Sequence, residues 1–344
     1  MMCSRHRCTG ARATLGLASY NHGIETMCKR PEMLLPDAAG IARAVEVLHM
    51  GGIVALPTET VYGLAADARN DAAVAQVFKA KGRPDFNPLI GHVLDVEQAR
   101  GIAALSTDAV ALAQVFWPGP LSMVLPLSAT NGLSTQVTAG LNTVAIRVPA
   151  HPVMRAVLET FGGPIAAPSA NPSGHISPTE AAHVVAGLGA HVAAVLDGGP
   201  CPVGVESTIL SPGPPPVLLR EGGVPREQIE PITGPLTVDT TPGRIRAPGQ
   251  LSRHYAPSVP LHLGGMPPPG AVTIGFGPGG TTDFTLSPTG NLAEAAARLF
   301  KTLHDADAYA RMTGAPMIHI APVPDTGLGR AINDRLCRAA VPID

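Results

Sequence analysis

The sequence predicts an α/β fold: an open, twisted mixed sheet with flanking helices, followed by a smaller α/β domain. Three observations carry this. Short apolar runs bounded by Gly, Pro and polar residues alternate with segments of helical period along most of the chain. Several of those runs follow one another through links too short for a crossover helix, so the sheet is mixed rather than all parallel. Residues 233–257 are rich in Gly, Pro, Thr and Arg without sustained period, and read as a linker between a domain at 33–232 and a smaller one at 258–344.

Residues 1–32 carry Arg5, Arg7 and Arg12 with no acid before Glu25, three of the five cysteines, and no apolar stretch of the signal-peptide kind. They read as a disordered tail, or as upstream sequence with Met27 or Met33 as the true start. The regular pattern begins at Pro36. Ile41, Ala44, Val45 and Leu48 have helical spacing, and Gly51-Gly52 stops that helix. Ile53–Leu56 is a short buried strand. Asp71 caps a helix running to about Lys81, with Gly82 at its end. Further strands are expected at Leu89–Leu94, Leu121–Leu127, Thr143–Val148, Ile165–Ala167, Ala193–Leu196, Ser207–Leu210 and Val217–Leu219, with helices after His151 and Ser177. Beyond the linker, Val272–Phe276 and Met317–Ile320 are strands. Leu292, Ala295, Ala296, Leu299 and Leu303 make one helical face, and Leu328–Ala339 a second helix, in a module of about 85 residues that can fold alone.

Composition excludes several classes. Net charge is −2 with the histidines neutral, so no basic excess marks a dedicated nucleic-acid binder. No apolar run reaches the roughly 18 residues of a membrane span. None of the five cysteines forms a C-x-x-C pair, which argues against a disulfide framework or a Cys-rich zinc site and suits a reducing cytoplasm. Lys occurs only at 29, 79, 81 and 301, so two of them beside Arg83 stand out in an Arg-skewed chain.

Some motifs fail on context. No G-x-x-x-x-G-K-[ST] is present. Gly275-Phe-Gly277-Pro-Gly279-Gly280 follows a strand, but Pro278 sits in the turn and the next helix lies about ten residues on, outside the geometry of a dinucleotide fingerprint. Ser169 is not in a G-x-S-x-G elbow.

Four segments carry chemistry. Pro57-Thr58-Glu59-Thr60-Val61-Tyr62-Gly63-Leu64 follows a strand, placing polar groups where open α/β sheets bind ligands; a plain hydroxyl-rich turn has the same spelling. In Lys79-Ala-Lys81-Gly-Arg83-Pro-Asp-Phe-Asn87-Pro88-Leu89, Lys81 and Arg83 either complement a helix dipole or clamp an anion, Arg as a fork and Lys as a point charge. His92 follows on the next strand, where an inward polar side chain implies a ligand. In Ser169-Ala-Asn171-Pro-Ser173-Gly174-His-Ile-Ser177-Pro178-Thr179-Glu180, Ser177 and Glu180 spell a capping box with Pro178 at the first helical position, and the same helix start could hold an anion. Arg147 lies in an apolar strand and needs an anionic partner, either a structural acid or a substrate carboxylate.

Together these segments resemble the YrdC-like L-threonylcarbamoyladenylate synthase family in its long two-domain form. The matching residues are Pro57–Leu64, Lys81-Gly-Arg-Pro84, Asn87-Pro-Leu89, Ala145-Ile-Arg-Val-Pro149, Ser169-Ala-Asn171-Pro-Ser-Gly174 and Glu206-Ser-Thr-Ile209. Pro248-Gly-Gln-Leu-Ser-Arg-His-Tyr-Ala-Pro257 and Gly327-Leu-Gly with Asn333-Asp-Arg-Leu336 resemble the long form specifically. The resemblance covers residues 36–344 in the family's order.

It implies a YrdC-like sheet and the condensation of L-threonine, bicarbonate or CO2, and ATP to threonylcarbamoyl-AMP and pyrophosphate. The adenylate then serves a downstream enzyme that transfers the threonylcarbamoyl group to tRNA. By motif position, Lys81, Arg83, Ser169 and Asn171 would be the catalytic set. Arg83, Asn87, Thr143, Ser169, Ser177, Arg220 and Tyr255 would line the ATP site, with Tyr255 closing over it as part of a lid. Thr60, His92, Arg147, Ala167 and Ser207 would line the threonine site. Mg²⁺ would arrive with ATP, held by phosphates and water without a protein metal site, and the enzyme would be cytoplasmic. Gly91 and the Gln250-Leu251 spelling depart from the family pattern. The rival reading is an RNA-binding module on the same fold, which weak RNA contact through its concave face would serve. The related domain of hydrogenase-maturation carbamoyltransferases is set aside, because the Cys-rich zinc modules of those chains have no counterpart here.

Overall fold

The computed structural model describes residues 30–239, 247–249 and 254–340. Most of the expected N-terminal extension and, in the linker, Gln250, Leu251 and Arg253 lie outside the described residues.

The first part of the chain runs β1 (Glu32–Leu34), α1 (Ala38–His49), β2 (Val54–Leu56), β3 (Gly63–Asp67), α2 (Asp71–Lys81), β4 (Ile90–His92), α3 (Val96–Ile102) and α4 (Thr107–Phe116). It continues through β5 (Leu121–Pro126), α5 (Thr135–Thr138), β6 (Thr143–Arg147), α6 (Pro152–Phe161), β7 (Ile165–Ala166) and α7 (Ala181–Leu188). Then come β8 (Ala194–Leu196), β9 (Thr208–Ser211), β10 (Val217–Arg220), α8 (Arg226–Thr233) and β11 (Thr237–Val238). All eleven strands join one sheet in the order β1-β8-β2-β3-β7-β4-β6-β5-β9-β10-β11, with parallel and antiparallel pairs mixed.

Period-two alternation gives the sheet two faces. Leu64, Ala66, Met123, Leu125, Val144 and Ile146 meet α2, α3, α4, α5, α7 and α8 on one of them. On the other, Val54, Leu56, Ala65 and Ile165 meet α1 and α6, which cover only the β1–β7 half. The remaining half of that face carries a small apolar group of Ile90, Val124, Ala145, Ile209 and Leu219, beside the polar side chains of His92 and Arg147. That uncovered half-face is the floor of the site.

The small domain runs β12 (Leu261–Leu263), β13 (Val272–Gly275), β14 (Phe284–Thr285), α9 (Leu292–Thr313), β15 (Ile318–Ile320) and α10 (Leu328–Ala339), with an all-parallel sheet ordered β12-β15-β13-β14. Its core is continuous with Val61, Ile176 and Val205 of the first domain, so the two units share buried apolar surface. Gly204 marks the tightest approach. Its φ is +75°, and a Cβ there would stand 2.3 Å from the Ala296 carbonyl oxygen of α9. Gly204→Ala should therefore wedge the domains apart at a cost of about 1–3 kcal/mol. Differential scanning fluorimetry should show a melting temperature lower by roughly 2–10 °C; an unchanged value would mean the junction yields freely.

A second feature of this junction titrates. His183 of α7 stacks on His304 of α9 with centroids 3.9 Å apart. Thr179 N–H donates to His183 Nδ1 at 3.3 Å, and His304 Nε2 reaches the Ser177 carbonyl at 3.2 Å. Burial, then Lys301 for His183 and the facing imidazole for His304, pushes each down to about 4 from 6.5, against the opposing pull of Asp305. Glu180 completes the surroundings, 4.0 Å from His183 Nε2. Because the folded values lie below the unfolded one, the stabilisation is full above about pH 6.5 and falls as pH drops toward 4. Melting temperature measured from pH 7 to 4.5 should fall, and His304→Gln should flatten that slope. A slope unchanged by the substitution would place the acid sensitivity elsewhere.

Several local expectations need correction. The first strand starts at Glu32, not after Pro36, because Glu32–Leu34 pairs in parallel with β8. Asn70, not Asp71, caps α2, accepting from the N–H groups of Ala72 and Ala73. The helix after Ser177 begins only at Ala181, and Glu180 makes no side-chain cap there, so the capping box does not form. Helices α3, α4, α5 and α8, and strands β3, β12 and β14, go beyond the expected elements. The linker expected at 233–257 starts later than expected, since Thr233 ends α8 and Thr237–Val238 joins the main sheet.

Candidate active site

A cleft lies over the uncovered half-face, at the junction with the small domain. Strand ends, turns and a linker residue deliver its polar groups. The turn after β2 brings Thr58 and Thr60, whose hydroxyls lie 2.8 Å apart, while the Thr58 hydroxyl donates to the Val61 carbonyl at 2.7 Å. This is a local hydroxyl turn, and it also faces the cleft. β4 brings His92 and β6 Arg147, paired in register. A register shift in β10 between Leu218 and Arg220 breaks the alternation there, and the Arg220 guanidinium turns onto Ser207. Its Nη2 donates to the Ser207 carbonyl at 2.8 Å and to Oγ at 3.2 Å, and Nη1 to the Pro248 carbonyl at 3.2 Å.

Lys81 ends α2, and Gly82 caps it at φ +58°, a left-handed turn that glycine adopts without strain. Both cations that follow the helix are buried rather than splayed into solvent. Lys81 Nζ donates to the carbonyls of Ser169, at 2.6 Å, and Asn171. Arg83 Nε and Nη2 donate to the carbonyls of Asn87 and Pro88 at 3.1 and 2.8 Å. Each therefore holds a loop in place, a packing role beyond the dipole complement or anion clamp expected from the sequence. Burial first, then Arg83, drives Lys81 well below its usual range, and burial and Arg220 bring Arg83 down to about 10.

Arg147 finds a structural acid. Its Nη2 lies 2.6 Å from Glu59 Oε1, Nη1 donates to Thr60 Oγ1 at 2.9 Å, and Nε to the Gly119 carbonyl at 3.1 Å. N–H donors on both terminal nitrogens remain for a second acceptor. Burial works to raise the Glu59 carboxyl, but Arg147 outweighs it and holds it low. His92 is driven down to about 3 by burial and Arg147, so it is neutral.

Of the residues singled out from the sequence, Thr60, Arg83, His92, Arg147, Ala167, Ser169, Ser207, Arg220 and Tyr255 line the cleft together. Lys81 and Asn171 stand behind Ser169. Asn87 is buried with neither amide atom partnered, and Asn171 Oδ1 is likewise orphaned. Thr143 shares the Arg147 face of β6 but sits four residues along, about 13 Å away, outside the lining. Ser177 does not line the cleft: its hydroxyl donates to Glu206 Oε1 at 2.6 Å. Tyr255 packs on the small domain, its ring stacked on Phe300 with centroids 5.5 Å apart.

Sequence reasoning passed over Glu59, Glu206 and His254 as site residues, although each is next in the chain to one that it did select. It also passed over Gly249, which lines the cleft, and Arg335, far along the chain. Buried cations accumulate here: burial, then Lys81, Arg83, Arg220 and Arg335 together push His254 well below its usual range. Among the described residues, no carboxylate comes within ion-pair distance of Lys81, Arg83 or Arg220, whose partners above are carbonyl and hydroxyl oxygens. Such a group of buried cations suits an anionic ligand.

Comparison with known proteins gives the family. The family model described as telomere recombination, which spans the Sua5, YciO and YrdC proteins, matches residues 46–222. The model of the threonylcarbamoyl-AMP synthase C-terminal domain matches residues 224–341. The chain is 41% identical over 325 residues to a threonylcarbamoyl-AMP synthase of Bacillus subtilis, covering 87% of this chain and 92% of that one. It is 39% identical over 323 residues to the threonylcarbamoyl-AMP synthase of Pyrococcus abyssi, covering 86% and 93%. The crystal structure of P. abyssi Sua5 complexed with L-threonine superposes with a TM-score of 0.82 at 37% identity, covering 90% of this chain and 97% of that one. The chain belongs to the threonylcarbamoyl-AMP synthase family, in its long two-domain form.

Proposed function

We propose that this chain condenses L-threonine, bicarbonate or CO2, and ATP into threonylcarbamoyl-AMP and pyrophosphate. The observation that carries the reading is the pair of buried guanidiniums lining one cleft, Arg83 and Arg220, with the Lys81 amine behind them, partnered among the described residues only by carbonyl and hydroxyl oxygens. A triphosphate supplies the missing negative charge.

Each residue then has a task. Arg83 and Arg220 face phosphate oxygens, and Lys81 fixes the Ser169–Asn171 segment that would face them too. Asn87, Thr143 and Ser177 would complete the ATP side. The spare N–H donors of Arg147 take the threonine carboxylate, with Thr60, neutral His92, Ala167 and Ser207 around it. The reaction asks for a carbamate held in line with the α-phosphorus, which is positioning plus electrostatic stabilisation and needs no protein nucleophile. Tyr255 and the linker segment would close the cleft as a lid against hydrolysis of the adenylate.

Mg²⁺ fits this site as a companion of ATP. Both nearby carboxylates, Glu59 and Glu206, are engaged by guanidiniums, so the ion would rest on phosphates and water. Bound there, it would neutralise phosphate charge. The adenylate would pass to a tRNA threonylcarbamoyl-transfer enzyme. No helix among the described residues is long and apolar enough to cross a membrane, which accords with work in the cytoplasm.

The test is pyrophosphate release by the full chain from ATP, with L-threonine and bicarbonate supplied together or singly. Release is expected only when both accompany ATP. Salt-dependent RNA binding with no such release would instead favour an RNA-binding module.

A further inference from the structure

One fully buried cation has no place in the mechanism above. Arg335 belongs to α10 of the small domain, is 0% exposed, and reaches out of its own domain. Its Nε donates to Glu206 Oε2 at 3.0 Å. Nη1 donates to the Glu221 carbonyl and, at 3.1 Å, to Asp334 Oδ2. The guanidinium carbon stands 5.5 Å from the centroid of the Tyr255 ring.

Glu206 gives these contacts their meaning. It lines the cleft immediately before Ser207. A bare carboxylate at that point would repel an incoming polyphosphate, with little water to screen it. Here Oε1 accepts from the Ser177 hydroxyl at 2.6 Å and Oε2 from Arg335, so neither oxygen is bare. Burial works to raise the Glu206 carboxyl, and the Arg335 and Arg220 guanidiniums outweigh it, so it stays ionised and paired. Tyr255 adopts φ 65°, a costly conformation for a residue with a side chain. Its ring stacks with Phe300 of α9 and meets the Arg335 guanidinium of α10, beside its chain neighbour His254. Both supports come from the small domain.

We propose that Arg335 is a positioning residue for the nucleotide half of the cleft: it neutralises Glu206 and props the Tyr255 ring, so the small domain completes the ATP site. The inference rests on the reading that this cleft takes ATP.

Calorimetry on the full chain tests it, using α,β-methylene-ATP, which cannot release pyrophosphate, and L-threonine as separate titrants. Arg335→Gln is expected to weaken binding of the analogue at least about tenfold, with threonine affinity within about twofold of the unaltered chain. The double variant Glu206→Gln/Arg335→Gln should regain most of the lost affinity, because the acid that needed neutralising is gone. Arg335→Lys keeps a charge near Glu206 but loses the fork and the contact with the Tyr255 ring, so it should weaken analogue binding less than Arg335→Gln and still spare threonine; it serves if Arg335→Gln fails to fold. Unchanged analogue affinity in Arg335→Gln would overturn the proposal. So would equal loss of both ligands in either variant, or a double variant as impaired as the single. Because the readout is binding, an unaltered chain that binds the analogue yet releases no pyrophosphate would sink the synthase reading alone. An unaltered chain that binds no analogue would overturn both.

Discussion

Replacing Lys81 by Met should both abolish pyrophosphate release and lower the melting temperature. The side chain is buried at the end of α2, and Nζ serves the carbonyls of Ser169 and Asn171. The Lys81 carbonyl, in turn, accepts from Ser173 N–H at 2.8 Å, so Lys81 holds both ends of the 169–173 segment, whose Ala170 N–H also donates to the Tyr62 carbonyl at 2.8 Å. Burial and Arg83 push the ammonium well below its usual range, yet even a neutral amine keeps two N–H donors for its two carbonyls. Met fills similar volume with none. Two buried carbonyls left unmet cost about 2–5 kcal/mol together, roughly 5–15 °C in melting temperature. The displaced Ser169 should cost at least about a hundredfold in turnover, since misplacement by an ångström does as much. Thermal melts and pyrophosphate assays on the same preparation check this. A Met variant with unaltered melting and turnover would remove Lys81 from both roles.

That double duty explains which parts of the molecule the sequence could disclose. Elements whose burial follows one simple period were legible: Ala295, Ala296, Leu299 and Leu303 are all buried on α9, and Thr143–Arg147 is a strand with Val144 and Ile146 in the core. The short helix α3 was missed because it has few apolar repeats, and α4 because apolar residues run round it and mark no single face; their caps, Asp95 and Ser106, are residues equally at home in turns. β3 was hidden because Gly63–Ala66 is buried on both faces and spells no alternation.

Within the site, local motifs disclosed the residue types but not their partners. Ser177 and Glu180 have the spacing of a capping box, yet the Ser177 hydroxyl goes to Glu206, 29 residues on. Lys81 meets oxygens 88 and 90 residues away, and Arg335 meets Glu206 across 129. No periodicity encodes pairings of that range. The small domain's share in the cleft was invisible for the same reason. Its lone signal was an Arg in Asn333-Asp-Arg-Leu336.

Arg147 shows how far a residue type can be read and where geometry must take over. A lone Arg in an apolar strand demanded an anion, and Glu59 supplies it at 2.6 Å. A guanidinium has five N–H donors, and Glu59, Thr60 and Gly119 leave some of them for a substrate carboxylate. The two roles separate by mutation. Arg147→Lys should keep a charge beside Glu59 but lose the fork that serves Glu59, Thr60 and Gly119 together, costing about 1–3 kcal/mol of stability as buried acceptors go unmet. Threonine affinity should fall about a hundredfold, because the same nitrogens are lost to the ligand, while binding of an ATP analogue stays near its original value. Glu59→Gln should also lower stability but leave threonine affinity within about threefold. It also removes an acid-sensitive group. Because Arg147 holds the Glu59 carboxyl below its unfolded value, that pair stabilises the fold above about pH 4.5 and is lost as pH falls through the folded value. Calorimetric titration of both ligands into both variants, with melting curves at neutral pH, checks each arm. Equal loss of threonine and nucleotide in Arg147→Lys would make Arg147 an ion-pair partner and nothing more. The opposite pattern, threonine affinity lost in Glu59→Gln as well, would show that the acid holds the fork in the one orientation a carboxylate can use.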